Sequence, residues 1–140
     1  MLLEIKCRKI VGGVARGSSL VTKQPINFLS MIDSINGIVY SRSHELYNSS
    51  IKGSVLFFPN AIGSSVGAYV LYSLKKNSAA PAAVVCTSKT DVTTASGCAI
   101  SNIPLVDIVG FEFNTAPGLN SGLEAYLNAD ECIIEIMKTD

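Results

Sequence analysis

Two adjacent serines between glycines, Gly63-Ser64-Ser65-Val66-Gly67, are the residues of this chain best placed to do chemistry. The apolar run Ser54-Val55-Leu56-Phe57-Phe58 leads into them, and a helical apolar pattern leads out. The first turn of a helix carries N–H groups without intrahelical partners and the positive end of the helix dipole. Such a turn holds an anionic substrate, or a serine oxygen that must become negative. Serine is also a favoured helix cap and glycine a favoured turn residue. The same five residues therefore suit a purely structural helix start as well.

The elements that must position this turn follow from periodicity. Val66, Val70, Leu71 and Leu74 recur on one face and predict a helix from Ser64 to Asn77, packed on a sheet and ended by Asn77 and Pro81. Ser54–Phe58 and Ala82–Cys86 are unbroken apolar runs, the pattern of strands buried on both faces. Asp91–Ile100 predicts a small-residue helix or turn capped by Thr90 or Asp91, and Ile103–Val109 a short strand with Pro104 near its start. Together they predict a parallel strand–helix–strand–helix–strand unit from Ser54 to Val109.

The flanks read as β. Leu2–Val11 predicts a strand ended by Gly12-Gly13, and Val14–Val21 a second one interrupted at Gly17-Ser18-Ser19. Pro25–Ile32 predicts a loop or short helical turn, and Asn36-Gly37 a turn before a short strand. Ser41–Lys52 reads as irregular with His44 exposed, and Asn114–Asn120 as loop. Cys132–Met137 predicts a final strand paired with the first. The expected whole is one domain over residues 1–140, an α/β fold of β-rich, partly closed barrel form with helices on one side.

Composition narrows the functions available. Eleven basic and eleven acidic residues cancel, with no basic patch for nucleic acid. No apolar stretch reaches a membrane span, and charges interrupt the first apolar run as they would not in a signal peptide, so a cytoplasmic location is expected. Only 16% of residues are charged, against about 25% in an average domain. That fits either a large partner interface or a surface rich in Ser, Thr and Asn. Cys7, Cys86, Cys98 and Cys132 lie far apart without a C-x-x-C pair, and His44 is the sole histidine. Free buried thiols and no metal are expected.

Competing readings of the serine turn fail on context. It fits G-x-S-x-G with Ser65 at the centre, but a hydrolase of that kind needs a longer chain and a histidine after the nucleophile. His44 precedes it. No Gly-Lys-Ser/Thr follows to make a phosphate-binding loop. Gly12-Gly13 with Gly17 lacks the dinucleotide spacing, and Asp33 and Asp107 read as turn or cap residues.

The chain resembles the swivel domain, or small subunit, of the aconitase X family. The likeness runs through Gly13-Val14-Ala15-Arg16-Gly17, Pro25-Ile26-Asn27-Phe28, Gly63-Ser64-Ser65-Val66-Gly67-Ala68-Tyr69, Ala95-Ser96-Gly97-Cys98 and Ile103-Pro104-Leu105-Val106-Asp107. The resemblance implies a swivelling β/β/α fold and a heterodimer with a large catalytic aconitase-X-type subunit. That partner would carry the iron–sulfur cluster or iron. The implied activity is dehydration of a small hydroxy acid: mevalonate 5-phosphate in archaeal members, within a modified mevalonate pathway, or cis-3-hydroxy-L-proline in bacterial ones. A non-catalytic anion-binding assembly module is the alternative of another class.

The resemblance also implies roles. Ser64 matches the serine that accepts the proton, and Gly63, Ser65 and Val66 would hold substrate. Asn60-Ala61-Ile62 stands where the family often has a glycine and a cation. Arg16, Lys23 or the partner would then supply the charge that meets the substrate anion.

Overall fold

The computed structural model describes residues 2–110 and 118–138. Eight strands and three helices follow in the order β1 (Leu2–Lys6), β2 (Arg8–Val11), β3 (Val14–Val21), α1 (Phe28–Met31), β4 (Val55–Phe58), α2 (Gly67–Lys76), β5 (Ala83–Cys86), α3 (Val92–Ser101), β6 (Leu105–Asp107), β7 (Glu124–Asn128) and β8 (Ile133–Met137). The strands form one sheet in the order β1-β8-β7-β3-β4-β5-β6-β2. The pairs β3–β4, β4–β5 and β5–β6 are parallel, and the others antiparallel. The expected parallel unit is present.

The expected first strand divides at Cys7, and its halves lie on opposite edges of the sheet. β1 pairs with β8, as the expected terminal pairing had it, while β2 pairs with β6. Since one residue separates them, the sheet must curl until its edges nearly meet, which gives the partly closed barrel.

Strand alternation then separates two cores. Leu56 and Phe58 of β4 join Leu71, Leu74, Val84, Cys98 and Leu105 beneath the helices. Val55 and Phe57 point the other way, with Val85, Val106, Leu127, Ile134 and Ile136, into the barrel. A strand covered on both faces must be apolar at every position, and β4 and β5 are. Phe28 meets Phe58 edge-on, with centroids 5.7 Å apart, and so locks α1 over the C-terminal end of β4.

Several expectations need correction. Gly17-Ser18-Ser19 does not interrupt β3, which is continuous. β7 went unrecognised because only Ala125 and Leu127 mark its buried face. The sixth strand is confined to Leu105–Asp107. The segment after Asn36-Gly37 makes only isolated bridges, Ile38 to Ser50 and Ile32 to Val39. The expected loop at Asn114–Asn120 lies outside the described residues up to 117. His44 is buried rather than exposed: its Nδ1 accepts the Leu46 N–H at 3.1 Å and its Nε2 faces the Pro25 carbonyl at 3.2 Å. Cys132 is exposed, whereas Cys86 and Cys98 are buried. Among the described residues no helix is long and apolar enough to cross a membrane.

Asp107 is the largest departure from its expected role as a turn residue. It is fully buried at the end of β6. The Arg8 Nε and Nη2 atoms donate to it at 3.0 and 2.6 Å, and the Thr90 N–H and hydroxyl donate at 3.0 and 2.8 Å. Burial alone would raise its pKa, but the Arg8 and Thr90 donors outweigh that and hold it below the usual carboxylate value. A depressed folded-state pKa stabilises the fold above the unfolded value, and that stability is lost as pH falls through the folded one. Asp107→Asn is expected to cost about 2 kcal/mol at neutral pH, below the figure for fully buried pairs because the Arg8 side chain is half exposed. It should also flatten the fall in melting temperature below about pH 4. Melts from pH 2 to 7 check both; an unchanged acid limb refutes the assignment.

Candidate active site at the serine turn

The turn is built where β4 leaves the sheet. After Phe58, the Asn60 carbonyl accepts the Ile26 N–H at 3.2 Å and the Ile62 N–H returns to the Ile26 carbonyl at 3.0 Å. Ala61 gives its N–H to Asp91 Oδ1 at 2.9 Å. The segment is thus bound to the α1 approach on one side and to the start of α3 on the other. Gly63 then turns the chain with φ of +89°, a conformation that disfavours side chains. A Cβ there would also overlap the Asn27 side-chain amide, whose oxygen caps α1.

Regular helix begins at Gly67 rather than Ser64. Tighter bonds carry the spiral back to the serines: the Gly67 N–H donates to the Ser64 carbonyl at 3.1 Å and the Ala68 N–H to the Ser65 carbonyl at 3.0 Å. Ser64 is therefore the first residue of this tightened turn. The Val66 N–H donates to Ser64 Oγ at 3.1 Å. Of the donors expected to meet an anion, that of Val66 is thus already aimed at the serine oxygen. The N–H groups of Gly63, Ser64 and Ser65 make no hydrogen bond to the described residues. Residues 62–66 are all exposed, and Ile62, Val66 and Tyr69 hold apolar surface in water beside the serines.

The expected cations separate. β3 and β4 are parallel, with Val21 beside Phe57, so Lys23 follows β3 at the same end as the serine turn. Arg16 lies six residues before Thr22, about 20 Å down the strand. There it faces Glu124 at 3.7 Å and covers the Tyr126 ring at 4.5 Å. Arg16 is excluded as the cation of this turn.

The residues described do not fit an iron centre. No three of their His, Cys, Asp or Glu side chains gather to hold a metal. Burial pushes the Cys86 thiol up to about 12 and the Cys7 thiol up to about 11, away from the thiolate a metal needs.

Gly63→Ala is expected to cost about 1–2 kcal/mol from the left-handed backbone alone. The overlap with Asn27 adds to this. In an Asn27→Ala background the steric part should vanish and the backbone part remain. A double-mutant cycle by thermal melting decides; additive losses would remove Asn27 from the account.

A curled mixed sheet with helices over one face, presenting an exposed serine just before α2, has the architecture of a swivel-type domain. The model of the aconitase X swivel domain matches residues 4–136. The chain belongs to that family. It is 43% identical over 136 residues to a phosphomevalonate dehydratase small subunit from Methanosarcina mazei, a match covering 97% of this chain and 92% of the relative. A protein of the same description from Thermococcus kodakarensis is 38% identical, with 97% and 98% covered. The crystal structure of Thermococcus kodakaraensis aconitase X in its holo-form superposes with a TM-score of 0.87 at 38% identity, covering 97% of this chain and 99% of that one.

Proposed function

We propose that this chain is the small subunit of a dehydratase that removes water from mevalonate 5-phosphate, active only as a heterodimer with a larger catalytic subunit. The observation that carries this reading is Ser64, an exposed serine at the start of α2 whose oxygen already receives the Val66 N–H at 3.1 Å. The names borne by relatives at about 40% identity over nearly the whole chain support the substrate. The apolar collar of Ile62, Val66 and Tyr69 supports the partner, because such a patch beside a reactive group calls for cover.

Loss of water from a 3-hydroxy acid breaks the C–H bond beside the carboxylate and the C–O bond one carbon further. The C–H electron pair becomes the double bond, the proton passes to a base and the hydroxyl departs. In this reading Ser64 Oγ takes the proton. A serine is basic enough only as its alkoxide, which needs fixed dipoles aimed at it. The Val66 N–H and the positive end of α2 supply them. Gly63 and Ser65, with the uncommitted N–H groups of Ser64 and Ser65, hold a carboxylate or phosphate oxygen, while Val66 serves Ser64. An iron or iron–sulfur centre belongs in this reading to the larger subunit, where it would supply a Lewis acid.

The test is to mix this chain anaerobically with its genomic large-subunit partner and follow mevalonate 5-phosphate by mass. Water loss that requires both chains supports the reading. Turnover of cis-3-hydroxy-L-proline instead overturns the substrate. A stable complex without turnover of either favours the anion-binding module.

A further inference from the structure

We infer that Asp91 is a positioning residue for Ser64, an inference that rests on the dehydratase reading above. Asp91 caps α3: the Thr94 N–H donates to its Oδ2 at 2.9 Å, and the Thr94 hydroxyl to the same carboxylate at 2.9 and 3.0 Å. One oxygen is enough for a cap. Asp91 spends its other oxygen, Oδ1, on the N–H of Ala61 at 2.9 Å, thirty residues away in sequence and three residues before Ser64.

That contact joins the Ile26 bridge in holding the segment that leads into the turn. The regular start of α2 has no side-chain cap, and between Ile62 and Ser64 stands only Gly63. Ala61, held by Asp91, and Ile62, held by the Ile26 carbonyl at 3.0 Å, are the last points at which the chain is fixed before it reaches the serine. Asp91 is itself held fast. Its neighbour Thr90 gives both N–H and hydroxyl to the buried Asp107, which Arg8 grips with two nitrogens. A line of hydrogen bonds thus runs from the edge strand β2 through β6 and the α3 cap to the serine turn. It fixes where Ser64 stands relative to the two helices.

Two variants separate capping from positioning. Serine caps a helix about as well as aspartate, but it is shorter and its single oxygen is taken by the Thr94 N–H. Asp91→Ser therefore keeps the cap and loses Ala61, and Asp91→Asn, an equally good cap with one acceptor oxygen and an NH2 that cannot accept, loses it too. In the assembled enzyme, Asp91→Ser is expected to lower kcat about 10- to 100-fold with KM little changed, the scale of a misplaced reacting group. Amide hydrogen exchange of the same complex should quicken at residues 61–66 while α3 stays protected. Asp91→Asn should follow Asp91→Ser in both readouts, since its one oxygen serves the cap.

Wild-type exchange at 61–66 together with wild-type kcat in Asp91→Ser overturns the inference. So does loss of protection within α3, which would mark Asp91 as a cap and no more. Ser64→Ala is run alongside. If that variant turns over normally, or the wild-type pair leaves mevalonate 5-phosphate intact, the dehydratase reading fails, and the exchange arm still decides whether Asp91 holds the turn.

Discussion

Ser64→Ala in the assembled enzyme is expected to lower kcat by about three orders of magnitude, within the range that a positioned proton acceptor supplies. KM should change little, because in the proposed reading backbone N–H groups that the substitution leaves in place hold the substrate. The fold should not suffer, since Ser64 is exposed and its hydroxyl makes one recorded bond, to the Val66 N–H. Removing that cap-like bond costs about 1 kcal/mol. Ser65→Ala is the companion. Its hydroxyl makes no bond to the described residues, so its effect should fall on KM. Ser64→Ala with near-normal kcat, or Ser65→Ala with the larger kcat loss, would move the proton acceptor elsewhere.

Gly17→Ala is expected to be the most damaging conservative change to the fold, at about 3 kcal/mol, the upper end for an overpacked site. Gly17 lies in β3 opposite Ala125 of β7. On its other side the Gly53 carbonyl presses against it, so an added Cβ would overlap that oxygen, with the Ser54 carbonyl carbon at 3.3 Å. The oxygen has nowhere to retreat. The Gly53 N–H is bonded to the Ala80 carbonyl at 3.0 Å, and the next residue, Ser54, accepts the Ala82 N–H at 2.7 Å. A backbone clash of this kind is relieved only by parting β3 from β4, the junction between the parallel and antiparallel halves of the sheet. The melting temperature should fall by about 10 °C. Gly122→Ala is the control: its φ is positive, +86°, a strain that Gly17 within its strand does not carry, and its Cβ would meet nothing within 4 Å. A loss at Gly17 no larger than the strain cost at Gly122 would show that close approach does not govern Gly17.

Gly17 marks the boundary between what was legible and what was not. From the sequence it looked like a break in a strand, because a glycine inside an alternating run weakens it. The break does not occur; the missing side chain makes room for another backbone. The serine turn was legible for the opposite reason. Its strand, its glycine and its helix are local features within about twenty residues, and local propensity reports them directly. The helix start was misplaced by three residues, since a tightened first turn has the same residue preferences as a regular one.

The sequence by itself determined the buried central strands, the two helices that cover them, a cap at Thr90 or Asp91 and the serine pair on the approach to the first of those helices. Each follows from hydrophobic period or cap chemistry within a single segment. Only the tertiary structure decided that β1 and β2 part at Cys7 to opposite edges, that His44 is buried, and that Arg16 stands far from the serines while Lys23 shares their end. Tertiary structure alone also brought Asp107 to Arg8 across ninety-nine residues and Asp91 to Ala61 across thirty. A carboxylate shows the same letter whether it caps, pairs or positions. Its role is set by the partners that chain closure delivers, and no local pattern records them.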